Sequence, residues 1–383
     1  MLQVLERTLG VRGELLAASQ VVALLPEWKA LCARSVEDNV YYAPKYARAL
    51  LDSVEKDKNV RFAVAWDQNS LVGLLPFATT RPPVPLIFPA GKAWQSKYTF
   101  SCMPLLDSDR AVETAGALLD VLASVRDGEW IIPTVNSAGQ ACRAVTEALA
   151  ERGAPWAFLD PFERATLEPG CSFDEHMQRH LRPKRRRDLA RNRRRLEELG
   201  KVEHESHGSG EGLERAVAAF LEIEVAGWKG RRGTALACDA ATRAFAIRAF
   251  TGGEADSICR ADMLTLDGAP IAVGLTVFAG STGFTVKCAY DEAYSSYSAG
   301  LLLELEVIRS FLSERWASRL DGATAGAHAI DSLWSGRTEV ADLIFSLSPR
   351  RPDLSLRAVA AVERMRRSTW SAIRSAFHQL SGQ

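Results

Sequence analysis

The stretch VKCAYDEAYSSYSAG at 286–300 runs directly into LLLELEVIRSFLSE at 301–314. This pattern predicts a strand, a polar and aromatic loop, and then the N-terminus of an amphipathic helix. Ser298 is a candidate N-cap of that helix, and Gly300 indicates close backbone packing. Because the first N–H groups of a helix have no partner within it, this junction suits a phosphate, a pyrophosphate or a developing oxyanion. An ordinary helix cap is the alternative.

Side chains that could bind a substrate or take part in a reaction lie at the end of this predicted strand and in two other segments. Lys287, Tyr290 and Asp291 supply a cation and two hydrogen-bonding groups. Trp228 and Lys229 follow an acidic helix, and a flat aromatic ring beside a cation suits an anionic or sugar substrate. The alternative for Trp228 is a buried loop anchor.

Different roles are expected for two carboxylates that follow the junction in sequence. Asp321 ends a predicted strand, where a carboxylate can orient or deprotonate an attacking amine or hydroxyl. A turn aspartate before a glycine is its alternative role. Glu304, one turn into the predicted helix, is expected to face solvent. Catalytic candidates are therefore Lys287, Tyr290 and Asp321, and substrate-binding candidates are Trp228, Lys229 and Asp291.

Charge is strongly segregated, although the 383 residues carry no net charge. Residues 182–195, RPKRRRDLARNRRR, contain nine Lys or Arg and one Asp. Arginine binds phosphate in a bidentate manner and stacks on bases, so this cluster suits coenzyme A, a nucleotide-sugar, a cyclic dinucleotide, tRNA or an acidic polysaccharide. The anion-binding candidates are Arg185, Arg186, Arg187 and Arg191. A solvated helix face is the alternative.

Several other classes of protein are not indicated. The seven cysteines form no CxxC pair, and no apolar run approaches the ~20 residues that span a bilayer, so a cytoplasmic protein is expected. The histidines form no HExxH motif, and neither GxSxG nor a Walker loop occurs, so no metal site is expected. The stretch 356–380 has helical apolar spacing among arginines. It is expected to pack on the protein itself, on the inner face of a membrane, or on a partner.

The order of predicted elements occurs twice. Helices are predicted in 14–52, followed by a hairpin, a strand in 95–106, and alternating helices and strands. The second half repeats this order after a loop at 201–215, with a hairpin that turns at Asp267-Gly268. We therefore expect two copies of one α/β unit. The predicted boundaries are 1–165 and 206–349 for the units, 166–205 for a basic helical linker, and 350–383 for an Arg-rich amphipathic tail helix.

Four segments together resemble a known family: the Arg-rich helix ending RRLEELGKV, the loop LEIEVAGWKGRRGTA, the hairpin DGAPIAVGLTVF and KCAYDEAYSSYSAGLLLELEVI. They resemble the GNAT-type acyltransferases of the cellulose-biosynthesis (CelD/BcsL) group, which are related to FemAB aminoacyltransferases. The resemblance implies an α/β (α+β) fold of two tandem GNAT-like mixed-sheet units. In such proteins the acyl-CoA pyrophosphate lies on the loop that matches Tyr297, Ser298, Ala299 and Gly300. One glycine of the usual R/Q-x-x-G-x-G/A pattern is present.

The resemblance also implies a reaction. An acyl group would pass from acetyl-CoA or another acyl-CoA, a co-substrate and not a tightly bound cofactor, to an amine or hydroxyl of a sugar, exopolysaccharide or cell-envelope precursor. Aminoacyl-tRNA would be the donor in the FemAB branch. The alternative function is a non-enzymatic effector that binds a cyclic dinucleotide or tRNA through the Arg cluster.

Overall fold

The computed structural model describes residues 10–79, 91–324 and 329–348, together with Leu356 and Ala361. Contacts divide the chain into two compact units. The first comprises residues up to 42, 58–162 and those from 339 onward, and the second comprises 43–57 and 163–338. This division differs from the predicted boundaries, because the basic segment 166–205 lies within the second unit. The predicted tail helix at 350–383 lies outside the described residues, apart from Leu356 and Ala361.

The strands of the described residues range from 2 to 12 residues in length. They are β1 (Arg12–Ala17), β2 (Arg61–Asp67), β3 (Ser70–Thr79), β4 (Gly91–Ala93), β5 (Leu105–Leu106), β6 (Glu129–Asn136), β7 (Trp156–Leu167), β8 (Val202–His207), β9 (Cys259–Leu266), β10 (Ala269–Ala279), β11 (Thr282–Tyr290), β12 (Arg319–Asp321) and β13 (Gly336–Ser346).

The helices occur singly or in groups of two or three between these strands. They are α1 (Ala18–Val21), α2 (Leu25–Ala33), α3 (Pro44–Leu51), α4 (Ala111–Val125), α5 (Gln140–Glu151), α6 (Phe173–His180), α7 (Pro183–Glu197), α8 (Gly210–Ala226), α9 (Trp228–Arg231), α10 (Ala240–Phe250) and α11 (Ala299–Glu314). In the described part of the chain, no helix combines the length and the apolar character that crossing a membrane requires.

The first unit is built on a sheet in the order β1-β2-β3-β4-β6-β13, in which β4 and β6 are parallel. Helix α4 packs on β1, β2 and β3 and against α5. Two predictions in this unit were wrong. The helix expected from residue 14 is preceded by β1, where Leu16 pairs with Phe62 of β2. In the predicted strand 95–106 only β5 forms, because Ser96 and Thr99 close a turn and Pro104 lacks an N–H for a ladder.

The second unit has the strand order β7-β12-β11-β10-β9-β8. The predicted hairpin at Asp267-Gly268 is confirmed: both residues have positive φ, 49° and 81°, as in a two-residue hairpin turn. The loop predicted at 201–215 was wrong, because residues 202–207 form β8 and pair with β9. After Val202, which packs against the core, the strand is polar, and a polar strand is tolerated at the edge of a sheet.

The helices that precede this sheet follow local sequence signals. Ser172 and Glu175 form the expected capping box at the start of α6. Pro183 begins α7, because a proline at the first position of a helix costs no hydrogen bond. Helix α3 also belongs to this unit: the Tyr46 ring lies 5.4 Å from the Phe245 ring of α10, and Lys45 Nζ donates to the Thr251 carbonyl at 2.7 Å.

Candidate functional site

Strand β11 loses its neighbour on one side before it ends. β12 runs parallel to it only from Thr282 to Phe284, where Asp321 is the last partner. β11 continues to Tyr290 along β10, with a bulge between the pairs Thr285–Thr276 and Lys287–Leu275. A gap therefore opens between β11 and β12 at the carboxyl end of β11. The bulge changes the directions of the side chains from Lys287 to Tyr290.

Helix α11 begins beside this gap with an unusual cap. Ser298 adopts the left-handed conformation (φ 59°, ψ 41°), and its side chain does not cap the helix. Ser298 is the N-cap as predicted, and its carbonyl accepts the Leu302 N–H at 3.0 Å. Its hydroxyl does not cap the helix, because Oγ accepts a hydrogen bond from Asn192 Nδ2 at 3.1 Å. The N–H of half-buried Gly300 has no hydrogen-bond partner within the described residues. Ala299 is fully buried, so the backbone at Gly300 is the exposed donor of this turn.

The C-terminal half of α7 lies along the start of α11. Arg195 stacks over the Tyr297 ring, with its guanidinium carbon 5.0 Å from the ring centroid. The first turn of α11 contains no acidic residue. The Gly300 N–H, Asn192 and Arg195 all lie beside the start of α11. We call this group the anion cradle, because a helix N-terminus and a nearby cation both favour negative charge. Sequence reasoning missed Asn192 and Arg195, although Asn192 is spaced helically between the buried Leu189 and Leu196 of α7.

The four predicted arginines all precede Asn192 on α7. Arg186 donates to the Met177 carbonyl at 3.2 Å, and Arg191 pairs with Asp188 at 3.4 Å. Arg187 and Arg191 are exposed, whereas Arg185 is half-buried. The observed contacts with the start of α11 come instead from Asn192 and Arg195, on the last turns of the same helix.

A narrow cleft lies on the other side of Tyr290, between α8, α9 and the end of β11. It is lined by Ile223, Glu224, Gly227, Trp228, Lys229, Cys288, Ala289, Tyr290 and Glu292. Glu224 is 3% exposed; its Oε1 pairs with Lys229 Nζ at 2.9 Å, and its Oε2 accepts the Leu236 N–H at 2.8 Å. Sequence reasoning missed Glu224, although it follows the buried Phe220 and Leu221 by one helical turn. The cleft brings together the predicted Trp228, Lys229 and Tyr290.

Trp228 presents an open aromatic face at this cleft. Its side chain is 46% exposed, so the alternative of a buried loop anchor was wrong. Arg232 lies over the ring at 5.2 Å from its centroid. Glu292 fixes the backbone, because its carboxylate accepts the Trp228 N–H and pairs with Arg231, each at 2.7 Å. The hydrogen bond from Arg231 is the largest cause that lowers the pKa of Glu292, and the hydrogen bond from the Trp228 N–H lowers it further.

Tyr290 joins the cleft to the anion cradle. A β-carbon at position 300 would lie 3.1 Å from Cδ1 of the Tyr290 ring, so the glycine allows the ring to pack on the first turn of α11. Lys287 is half-buried on β11, opposite Leu275. Asp291 makes a local contact, because its Oδ1 accepts the Ala293 N–H at 2.9 Å.

Asp321 is not brought to the cleft. It is opposite Phe284, six residues before Tyr290 on β11, which corresponds to roughly 20 Å along the strand. Its carboxylate accepts the Ala323 N–H at 2.7 Å and lies 3.5 Å from Arg164 Nη1. These contacts hold the turn that follows β12.

Glu304 does not face solvent as expected. It is 7% exposed, and Trp334 Nε1 donates to its Oε1 at 2.6 Å. α11 is buried on more than one face, because Leu302, Leu303, Val307 and Ile308 are all buried around it.

The comparisons with known proteins agree with this geometry. Residues 183–326 match the family model of the acetyltransferase (GNAT) domain, a segment that contains α7, the cleft and α11. No curated protein matches the chain in sequence. The family match confirms the predicted α/β GNAT fold class and supports an acyltransferase, the predicted class of enzyme.

Solved structures resemble the chain over most of its length. FemX has a TM-score of 0.53 at 11% identity, covering 84% of this chain and 96% of FemX. A conserved protein of unknown function from Bacteroides thetaiotaomicron has a TM-score of 0.53 at 12% identity, covering 85% and 97%. A C-terminal domain from Agrobacterium fabrum, in a protein assigned as a lysylphosphatidylglycerol synthetase, has a TM-score of 0.53 at 10% identity, covering 88% and 95%. At these identities the resemblance is one of fold.

Proposed function

Because residues 183–326 form an acetyltransferase (GNAT) domain, we propose that the protein transfers an acyl group, foremost acetyl, from acyl-CoA to an amine or hydroxyl of a sugar or cell-envelope precursor. The observation that carries the proposal is the anion cradle beside the gap between β11 and β12. The N-terminus of α11 and the Arg195 cation lie there, and Tyr290 links them to the neighbouring cleft.

The donor would be held at two places. Its phosphates lie against the Gly300 N–H and the Arg195 guanidinium, where a helix N-terminus and a cation both stabilise negative charge. Its extended amide arm lies along β11 beyond Phe284, where β12 no longer pairs. An extended chain can add to such an edge through main-chain hydrogen bonds. The thioester then reaches the cleft next to Tyr290.

The acceptor would enter the cleft from the side of Trp228. The exposed indole offers apolar surface for a sugar ring, and the cations of Arg232 and Lys229 lie over the ring at 5.2 and 6.0 Å from its centroid. The acceptor amine or hydroxyl attacks the thioester carbonyl and releases one proton to solvent. A C–N or C–O bond forms, and the C–S bond breaks with its electron pair on the sulfur. Tyr290, which lines the cleft, would protonate the leaving thiolate through its hydroxyl.

The first unit has no comparable cradle in its described residues. At the start of α4, the Asp107 carboxylate accepts the Asp109 N–H at 3.1 Å and pairs with Arg34. At the start of α5, Glu37 accepts the Ala141 N–H at 3.2 Å. These carboxylates occupy the places where a phosphate would bind, so the second unit alone is proposed to bind the donor.

Donor binding tests the proposal. We expect acetyl-CoA to give a heat of binding in calorimetry, and Arg195→Ala to weaken that binding roughly tenfold, because a hydrogen bond to a charged group is lost. Arg243→Ala is a matched control, since Arg243 is exposed on α10, away from the cradle. No binding of acetyl-CoA by the unmodified protein would overturn the proposal.

The run of cations that precedes Asn192 on α7 favours a second candidate. Arg185, Arg186, Arg187 and Arg191 extend the positive surface beyond the length of one pyrophosphate. A cyclic dinucleotide, or tRNA including aminoacyl-tRNA as a donor, would use this surface. Binding of either ligand without binding of acetyl-CoA, abolished by Arg185→Ala, Arg186→Ala and Arg187→Ala together, would favour it.

A further inference from the structure

The cleft between α8, α9 and the end of β11 is bordered by more cations than carboxylates. The carboxylates that line it are Glu224 and Glu292. The cations lie on α9 and on the residue that follows it, and they are Lys229, Arg231 and Arg232. The pairing of these groups decides which charge is left for a ligand.

The two carboxylates are neutralised by two of the cations. Glu224 Oε1 lies 2.9 Å from Lys229 Nζ, and Glu292 Oε2 lies 2.7 Å from Arg231 Nη2. Each pair joins a residue that lines the cleft to the loop beside it. The positive charge that remains is that of the third cation.

Arg232 is that cation, and it is held at the cleft without use of its hydrogen-bond donors. Its guanidinium carbon lies 5.2 Å from the centroid of the Trp228 ring, which lines the cleft. Contact with a ring engages the face of a guanidinium, whereas its five N–H groups lie in its plane. Arg232 is exposed, and in the described part of the chain its side chain has no ion pair and donates no hydrogen bond. Its N–H groups are therefore available to a ligand.

The loop that carries Trp228 and Arg232 has a well-supported backbone. The Trp228 carbonyl accepts the Arg232 N–H at 3.1 Å, and the Trp228 N–H donates to Glu292 at 2.7 Å. Gly230 allows the tight turn between them, because a β-carbon there would lie 1.7 Å from the Val225 carbonyl oxygen. A binding surface that is already ordered loses less conformational freedom when a ligand binds.

We propose that Arg232 recognises an oxyanion, a phosphate or a carboxylate, on the sugar whose amine or hydroxyl is acylated. This inference rests on the proposed acyl transfer and narrows its acceptor to an acidic sugar. A guanidinium donates two parallel hydrogen bonds to either anion. The Trp228 indole beside it supplies apolar contact for the ring of the same sugar.

The phosphates of the donor are assigned to a different group of residues, the anion cradle at Gly300 and Arg195. Arg232 contacts the cleft at Trp228, on the side from which the acceptor is proposed to enter. A loss of Arg232 should therefore raise KM for the acidic sugar and leave KM for acetyl-CoA unchanged.

A comparison of matched acceptors tests the inference. Glucosamine 6-phosphate carries a phosphate, muramic acid carries a carboxylate, and glucosamine carries neither, although all three present a 2-amino group. With acetyl-CoA as donor and release of the CoA thiol as the readout, we expect one acidic sugar to exceed glucosamine in kcat/KM by about tenfold or more, because a hydrogen bond to a charged group is gained. The preferred sugar identifies the anion as a phosphate or a carboxylate.

Arg232→Gln should abolish this preference, since glutamine retains polar groups but has no charge and no bidentate donor. The preference is a ratio measured on one preparation, so a smaller folded fraction in the variant cancels from it. Arg243→Gln is the matched control and should keep the wild-type preference, because Arg243 is exposed on α10.

Three outcomes would overturn the inference. They are equal kcat/KM for the three sugars or no thiol release with any of them in the unmodified protein, a preference that persists in Arg232→Gln, and a rise of KM for acetyl-CoA alone in that variant. The proposed acyl transfer fails on a different result, which is the absence of acetyl-CoA binding by the unmodified protein.

Discussion

Asp321 illustrates a carboxylate whose contacts serve the fold. Its partner Arg164 is 3% exposed, and removing one member of a buried ion pair leaves the other charge uncompensated. We therefore expect Asp321→Ala to lower the free energy of unfolding by about 3 kcal/mol, measured by denaturant titration. Glu222→Ala, on the exposed side of α8, should change it by less than about 0.5 kcal/mol. Full stability with lost turnover would instead assign Asp321 a direct part in the reaction.

Glu304 makes a separate prediction for stability. Its pKa is raised from 4.5 to about 7 in the folded protein, so the folded state binds its proton more tightly than the unfolded state. The free energy of unfolding should therefore fall between pH 4.5 and 7, by an amount of order 3 kcal/mol, and stay low above that range. In Glu304→Gln this fall should be absent. Parallel pH profiles for the two proteins would show that the carboxyl is not buried in this way.

Several site residues could have been predicted from spacing alone. Glu224 and Asn192 both lie on the apolar stripes of their helices, which indicates a buried or inward-facing polar group. Glu304 was ambiguous, because LLLELEVI has apolar residues on nearly every side and its spacing does not decide which side faces water. Trp228 and Lys229 were predicted as substrate-binding residues and Tyr290 as a catalytic residue, from separate segments. Their common cleft was not predicted, because local patterns do not show which segments meet.

At the level of elements, the start of α11 depends on one strained residue. A non-glycine residue in the left-handed region costs roughly 1–2 kcal/mol. We expect Ser298→Gly to change stability by less than about 1 kcal/mol, because relief of that strain offsets loss of the Asn192 hydrogen bond. Ser298→Val should unfold more easily and bind acetyl-CoA more weakly, since a β-branched residue fits this conformation poorly. Thermal unfolding and acetyl-CoA calorimetry of the two variants test this prediction. Equal stability and equal acetyl-CoA affinity of the two variants would contradict it.

Elements with local signals were predicted well, and those that depend on distant partners were not. The Asp267-Gly268 turn and the capping box of α6 are coded within four residues each. β8 forms because β9 provides partners for its backbone hydrogen bonds. Its mostly polar sequence contains no local signal for a strand. Similarly, β1 is defined by its pairing with β2.

At the scale of the whole molecule, we expect the two units to differ in binding of the acyl donor. Asp107 and Glu37 occupy the helix starts of the first unit, whereas the first turn of α11 carries no acid. Calorimetry should therefore give one acetyl-CoA per chain. A stoichiometry of two would show that the first unit also binds the donor.

The repeated order of elements was visible in the sequence, but the division of the chain was not. Residues 43–57 belong to the second unit although about 100 residues of the first unit follow them. No local pattern specifies a partner at that separation, because helical spacing only shows that a face will be buried and not against which element.

The placement of α3 has a consequence for how the protein is made. Tyr46 and Lys45 are synthesised early, whereas their partners Phe245, Phe250 and Thr251 emerge about 200 residues later. Translation adds roughly 5–20 residues per second. The apolar face of α3 is therefore exposed to water for about ten seconds or more before its partners are synthesised. A nascent chain of this protein thus carries an exposed aromatic segment that invites chaperone binding, and a fragment beginning at residue 163 would lack the helix that closes over α10.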